Sequence, residues 1–421
     1  MRNFLLKQLP DYQSDDENLI TNDFHLEVIT PMLGGDAKSW ELNLDAPIRA
    51  QSIKGQLRFW WRTLQNESNP QKMLEKENAL WGGKSGKDKD GRVRHIQSPV
   101  KIAVLNQKIL STHLAELNDK GFALRDEIIP TYVAFPVTDA IKNKKQDVTY
   151  VKSANFTLRV TYSKQHEAIV MAVLKLWTLF GGVGARTRRG CGSLYCESLL
   201  AEFGTAEDIC EFIKSCSSTD ERQLQYCRLA GSVSAWEQGG DDPTKTWDNL
   251  IRKYAGFRQD RVPNSPKPGR SYWPEPDAIR RVTKQASPLH QPNHPDGVWF
   301  PRAAFGLPII TKFNTRDNGN GDPDPQVQLI PDIGTGDRWP SPVILKVIKL
   351  NNGAVLKVAL VLGQQFPEKL RLDQSGRSFP LDQTASPFAK GPHQMKTRNG
   401  FKAADSVYKA LFEALNLKEL S

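Results

Sequence analysis

The sequence predicts an α+β fold on three observations: two amphipathic helical stripes, strands that alternate apolar and polar residues on either side of them, and a glycine-rich stretch closing the second helix. Phe24 to Thr30 (FHLEVIT) opens the pattern, with Phe24, Leu26 and Val28 on one strand face until Pro31, Gly34 and Gly35 break it. From Ser52 to about Gln65, Ile53, Leu57, Trp60, Trp61 and Leu64 recur at steps of three and four, which is a helix with Ser52 as its expected N-cap. Asn69 to Asp90, Lys- and Gly-rich around GGKSGKDKDG, is expected to be a mobile basic loop, followed by strand-like segments near residues 92 to 105. Asn155 to Tyr162 alternates Phe156, Leu158, Val160 and Tyr162 on one face as a strand. A second helix, from about Gln165 to Phe180, carries Ala168, Ile169, Ala172, Val173, Leu176, Trp177 and Phe180 on one stripe and stops at Gly181 and Gly182. SLYCESL returns as a short strand. The order strand, helix, strands, strand, helix, strand fits a ferredoxin-like (RRM-like) βαββαβ unit with insertions.

The C-terminal half shows helical patterns near residues 206 to 230 and a Pro-, Gly- and Arg-rich region from about Arg258 to Pro308. Val343 to Leu350 and Ala354 to Leu362 read as strands joined at Asn352-Gly353, a strong short-range hairpin signal. Ala403 to about Leu417 closes the chain as a helix. No internal repeat emerges from periodicity.

The 421 residues suffice for two or three compact units, and 39% hydrophobic with 25% charged residues excludes a chain that stays disordered. Fifty-seven Lys and Arg against 47 Asp and Glu give a formal charge of +10, which raises the weight of a polyanionic partner if the charge clusters. Five cysteines without a C-x-x-C pair indicate neither a zinc site nor a disulfide framework. The N-terminal stretch lacks the apolar run of a signal peptide and no membrane-length apolar segment occurs, so the expectation is a cytoplasmic protein with no membrane partner.

Three stretches carry chemistry. In PIRAQSIKGQLRFWWR, Lys54, Arg58 and Arg62 line a stripe beside the apolar face with Arg49 just ahead, and the sixteen residues contain no acid. A helix start offers free N–H groups and the positive end of its dipole, so a phosphate backbone can cross this end. The bland alternative is a solvated basic face. GGVGARTRRGCG sets Arg186, Arg188 and Arg189 among Gly181, Gly182, Gly184, Gly190 and Gly192, combining close backbone approach with charge. It matches neither the dinucleotide fingerprint, since Thr187 stands where a glycine is needed, nor a P-loop, since Asn78 precedes Gly83-Lys84-Ser85 where the first glycine belongs. The third stretch, GRSYWPEPDAIRR with WFPRAAFGLPI and RWPSPVILK downstream, holds Arg270, Arg280, Arg281, Arg302 and Arg338 on proline-stiffened turns suited to docking or to contacting a nucleic-acid backbone.

ITPMLGG, APIRAQSIKGQLRFWWR and GGVGARTRRGCGSL, in that order, resemble the RAMP superfamily of CRISPR-associated proteins, whose signature is a glycine-rich loop after the last helix of a ferredoxin-like fold. The LRFWWR ending, SYWPEPDAIRR, FPRAAFGLPI and RWPSPVILK are similar to the family of first-numbered RAMP subunits of type III-B (Cmr) effector complexes, so the resemblance spans about Phe24 to Lys346. It implies two ferredoxin-like units, about 20–200 and 201–421, with the RAMP glycine-rich loop after the last helix of the first. It also implies guide (CRISPR) RNA, target RNA and other Cmr RAMP subunits as partners, a place at the guide's 3′ end, and no cofactor. The RNA-contacting residues it implies are Arg49, Lys54, Arg58 and Arg62 on the basic helix and Gly181, Gly182, Gly184, Arg186, Arg188, Arg189 and Gly190 on the loop; Arg270, Arg280 and Arg281 join them as candidates from the reading of the third stretch itself. No second glycine-rich loop is placed in the C-terminal half.

Some RAMP relatives cut RNA. The candidates for that alternative, an endoribonuclease, are His25, Asp36 and Asp45, none with an evident partner in the sequence, and a non-catalytic subunit is the expectation. His290 and His294 lie among prolines without a third ligand, so no metal is expected.

Overall fold

A computed structural model describes residues 18–34, 42–43, 45–87, 91, 93–118, 121–124, 129–134, 148–220, 224, 226–262, 269–295, 297–313, 326–332, 336–388, 393–397, 400–404 and 406–420. The protein is a mixed α+β fold with several antiparallel sheets. In the first half, β1 (Leu19–Val28) leads to helices α1 (Ala50–Thr63) and α2 (Pro70–Trp81), a small hairpin of β2 (Gly83–Lys87) and β3 (Val93–Ile96), then β4 (Lys101–Asn118), β5 (Gly121–Leu124) and β6 (Val148–Ser163). Helix α3 (Glu167–Phe180), β7 (Leu194–Tyr195), α4 (Glu197–Leu200) and α5 (Ala206–Cys216) follow. Their sheet runs β5-β4-β6-β1-β7. The register of β1 on β6 puts Phe24 opposite Leu158 and Leu26 opposite Phe156, and all four are buried. This is the face that the alternation predicted.

The second half runs through β8 (Arg228–Gln238), α6 (Pro243–Gln259), α7 (Glu275–Thr283), β9 (Ile309–Thr311), β10 (Val327–Pro331), β11 (Val343–Lys349) and β12 (Val355–Gly363). It continues with β13 (Leu370–Gln374), β14 (Arg377–Leu381), the hairpin β15 (His393–Thr397) and β16 (Gly400–Ala404), α8 (Val407–Leu415) and β17 (Lys418–Glu419). The main sheet of this half is β11-β12-β8-β17, and a second sheet is β14-β13-β10-β9. The hairpin predicted at Asn352-Gly353 is present, with Lys349 paired to Val355 and Val343 to Val361 and Gly353 at φ 85°.

Sequence VILKVIK explains how the layers stack. A strand covered on both faces reads as a continuous apolar run, and every residue of β11 but Lys349 is buried. Ile344 and Ile348 join the core that also holds Ile53, Leu57 and Trp60 of α1 and Trp177 and Phe180 of α3. Val343, Leu345 and Val347 join a second core with Trp247, Leu250 and Tyr254 of α6 and Leu411 and Leu415 of α8. The order of layers is therefore first sheet, α1 and α3, second-half main sheet, α6 and α8. A third core, with Ile279, Phe300, Leu329 and Leu372, lies under the β14-β13-β10-β9 sheet and α7.

Four expectations need correction. Helix α1 begins at Ala50 with Arg49, not Ser52, as N-cap. Much of the expected basic loop is α2, opened by Asn69, whose side chain accepts from Gln71 and Lys72 amides, with Pro70 in the first turn. The helical pattern near 206 to 230 ends at Cys216, and Arg228 onward is the strand β8. The closing helix spans only Val407–Leu415. All five cysteines are free.

Candidate nucleic-acid interface

The N-terminus of α1 is electropositive by construction: Arg49 is in an extended conformation without a side-chain cap hydrogen bond, and no acid occupies the first turn. The fold brings the glycine-rich stretch against it. Pro47, Arg49, Ser52 and Gln56 line a small cleft, about 50 Å³, whose other wall is Gly182, Val183 and Gly184. Two stretches more than 120 residues apart thus form one concave edge.

Close packing explains the glycines. Gly184 sits at φ 77°, and a Cβ there would lie 2.6 Å from Met32 Cγ and 2.8 Å from the Leu33 carbonyl oxygen. Ala185 N donates to Leu33 O at 2.6 Å, Val183 N to Gly192 O at 3.0 Å and Gly192 N to Pro31 O at 2.9 Å, so the loop is laced onto the segment after β1. The hydroxyl of Thr30 donates to Gly190 O at 2.6 Å.

The loop's arginines divide. Arg188 donates to the Ser341 carbonyl and lies 5.0 Å from the centre of the Phe59 ring. Arg189 donates to Val343 O at 2.9 Å and lies over Tyr254 at 5.0 Å. Both therefore fasten the loop to β11 and its approach. Arg186, in left-handed geometry at φ 60°, is exposed and its side chain donates no hydrogen bond to another described residue. Burial of part of its guanidinium, then the nearby Arg189, hold its pKa below the ordinary arginine value.

The basic stripe of α1 divides too. Arg58 Nε donates to Glu77 Oε1 at 2.5 Å and Arg62 to both Glu77 oxygens at 2.8 and 2.9 Å, so a buried carboxylate on α2 neutralises part of this face. Lys54 lies instead in a separate 270 Å³ cleft that Gln97, Ser98 and Lys101 also line. Burial, then Arg58, lower its pKa.

Arg270, Arg280 and Arg281 are brought together, away from the α1 cleft. Arg270 and Arg280 reach Asp277 at 3.3 and 3.1 Å, while Arg281 donates to Gly297 O at 2.6 Å and His294 O at 2.7 Å. Arg302 pairs with Glu275 at 3.1 Å, and Arg338 is exposed beside Asp337. Of the ribonuclease candidates, His25 Nδ1 lies 3.1 Å from Thr157 Oγ1, the backbone N–H of Asp45 donates to Asn43 Oδ1 at 3.0 Å, and Asp36 lies outside the described residues. Among the described residues no group of three or more His, Cys, Asp or Glu could hold a metal ion, and no helix is long and apolar enough to cross a membrane.

Sequence reasoning missed Glu77, Ser341 and Lys101. The signal for Glu77 was Asn69-Pro70, a capped helix start that places it on a helix face. Ser341 and Lys101 had no local signal, since only the tertiary fold delivers them.

Residues 25–195 match the RAMP superfamily, and the resemblance read from the motifs is borne out for that stretch. Two relatives from Pyrococcus furiosus are similar: CRISPR system Cmr subunit Cmr1-1, 28% identical over 154 residues that cover 35% of this chain and 40% of the relative, and Cmr1-2, 27% identical over 191 residues that cover 42% of this chain and 95% of the relative. The chain thus spans less than half the length of the first of them. Among solved structures, Cmr1 from Pyrococcus furiosus in its apo form aligns with a TM-score of 0.46 and 20% identity over 83% of this chain and 90% of that one. A chain of the type III-B Cmr-beta assembly bound to cognate target RNA aligns with a TM-score of 0.49 and 12% identity over 95% and 99%.

Proposed function

We propose that this chain is a non-catalytic, RNA-contacting subunit of a type III-B CRISPR (Cmr) effector complex, placed near the 3′ end of the guide RNA among other Cmr RAMP subunits and supporting guide and target RNA binding in antiviral defence. The observation that carries the RNA-binding reading is the shared edge of the α1 N-terminus and the glycine-rich loop, where Arg49 and the uncapped first turn face Gly182 to Gly184. Free amides, a helix dipole and a close-approach backbone suit a phosphate. Homology to the Pyrococcus Cmr1 subunits supports the assembly.

The proposed architecture is two ferredoxin-like units. Supporting it, the first sheet orders its strands last, first, third, second as β7-β1-β6-β4, with α1 and α3 as crossovers, β5 being an edge addition. The second orders β17-β8-β12-β11 the same way around α6 and α8. The small sheet with α7 is then an insertion in the second unit.

The test is titration of the purified chain with labelled single-stranded RNA over a salt series. Each neutralised phosphate contributes about −0.7 to the slope of log affinity against log salt. Replacing Arg49 and Arg186 by Ala should weaken binding and flatten the slope by about 1. Affinity insensitive to both salt and the double substitution would exclude the interface. RNA retained intact, with and without divalent metal, supports a binder, whereas cleavage would assign the ribonuclease alternative.

A further inference from the structure

Lys346 is at odds with the core it sits in. Alternation along β11 puts Ile344, Lys346 and Ile348 on the face that packs on α1 and α3, and all three are buried. Such a position is ordinarily apolar, because a buried ammonium loses its hydration. The residue paired with Lys346 on β12 is Val358, and the titratable group set against it among the described residues is Cys191. Burial pushes that thiol up to about 12, against the pull of Lys346, Arg186 and Arg189, so it stays neutral.

What the ammonium meets is the start of the glycine-rich loop: Nζ donates to the Gly181 carbonyl oxygen. Gly181 caps the C-terminus of α3, its own amide donating to Trp177 O at 2.8 Å. A helix end leaves carbonyls unpartnered and carries the negative end of the dipole, so a cation is matched to it. The next residue is held as well, since Trp177 Nε1 donates to Gly182 O at 3.1 Å. A Cβ on Gly181 would lie 2.5 Å from Trp177 Cδ1 and 2.8 Å from Trp60 Nε1, so the two indoles box it in. Lys346 thus fastens the loop at the residue from which Gly182 to Gly184 run on to the α1 cleft.

We propose that Lys346 is a positioning residue of the RNA-contacting edge, its ammonium fixing the exit of the glycine-rich loop from α3 so that RNA binds best when the amine is charged. This rests on the α1 edge being the RNA contact. Lys346 does not line that cleft, so it acts through Gly181 and not on a phosphate. Its charge state separates this role from a merely structural one. Burial lowers the amine's pKa to about 7 in the fold, Cys191 opposing, from 10.5. Between these values the unfolded chain binds more protons, so stability rises with pH. RNA affinity should move the other way, because deprotonation removes the charge that matches the helix end.

The test titrates labelled single-stranded RNA into the full native chain and Lys346→Met from about pH 6 to 9 and over a salt series, and follows amide exchange across residues 181–192 without RNA. Native affinity should fall about ten-fold across the pH range. Lys346→Met should bind weakly at every pH with the native salt slope, because no phosphate contact is lost. Its loop amides should exchange faster while those of β6 and β12 keep their protection. A native affinity flat in pH overturns the proposal and needs no variant to fold. So does a variant that binds as tightly as the native chain, or a flattened slope, which would make the lysine a direct phosphate contact. A native chain that binds no RNA defeats the α1 edge reading instead. Loop exchange then decides alone: faster exchange in the variant upholds Lys346 as the loop's anchor, and unchanged exchange overturns it.

Discussion

Glu77 and Lys346 show how single buried charges set the electrostatics of this protein. Glu77 is 5% exposed in its side chain and holds Arg58 and Arg62, so Glu77→Gln removes the counter-charge of two half-exposed guanidiniums. Deleting one partner of a buried pair costs about 3–5 kcal/mol, but solvent around the arginines lowers that to about 1–2 kcal/mol, measurable by urea unfolding. The same variant frees positive charge beside the α1 edge, so RNA affinity at low salt should rise. Lys346 lies fully buried on the α1 and α3 side of β11, donating to Gly181 O. Burial pulls its pKa from 10.5 to about 7, with Cys191 opposing. Below pH 7 both folded and unfolded chains carry the proton, and the fold bears the full cost of a buried cation. Between about 7 and 10.5 the unfolded chain binds more protons, so this residue's contribution makes stability rise with pH and then level off. The stability of the native chain minus that of Lys346→Met should climb across this window. A flat difference would mean that the amine is solvated.

At the scale of elements, the glycine-rich loop is a joint as much as a ligand surface. Gly190 is at φ 74°, and a Cβ would come within 2.8 Å of Trp247 Cδ1 and 3.1 Å of Leu345 O, while Trp247 Nε1 donates to Arg189 O at 2.8 Å. Gly190→Ala therefore meets left-handed strain of about 1–2 kcal/mol and overpacking of about 1–3 kcal/mol, and calorimetry should show a clear fall in Tm. Arg186→Ala, on an exposed side chain, should leave Tm unchanged and lower RNA affinity. The contrast separates joint from surface. Local patterns reveal α1, α3 and the β11–β12 hairpin because their signals, a 3.6-residue stripe and an Asn-Gly turn, lie within the elements. Helix α2 was obscured because Gly82 to Gly91 follows it directly and its few buried apolar residues, Met73, Leu80 and Trp81, are diluted by Lys and Glu. The docking of Arg188 and Arg189 on Ser341 and Val343 was illegible because its partners lie some 150 residues away.

Across the whole molecule, the two halves that the resemblance implies as units contribute to a common hydrophobic core. Trp60 of α1, Phe180 at the end of α3 and Trp236 of β8 form a chain of rings with centroids 6.0 and 6.2 Å apart, and Leu229, Ile344 and Leu360 from the second half enter the same cluster. The main sheet of the second half is covered on one face by helices of the first, so separating the halves exposes a sheet face and a helix layer together. Buried apolar area contributes roughly 25 cal/mol per Å², which makes such a division costly for both parts. A fragment ending near residue 200 is therefore expected to remain unfolded or aggregate rather than fold as an independent unit. In the intact chain, Trp236→Ala should cost about 3–5 kcal/mol and shift the unfolding of both halves together. The measurement is denaturant unfolding followed by amide exchange resolved to peptides from each half. Coincident loss of protection in β6 and β12 supports one cooperative body. Loss confined to β8, β11 and β12 would mean that the first unit stands alone and that the ring chain is only a contact between independent domains.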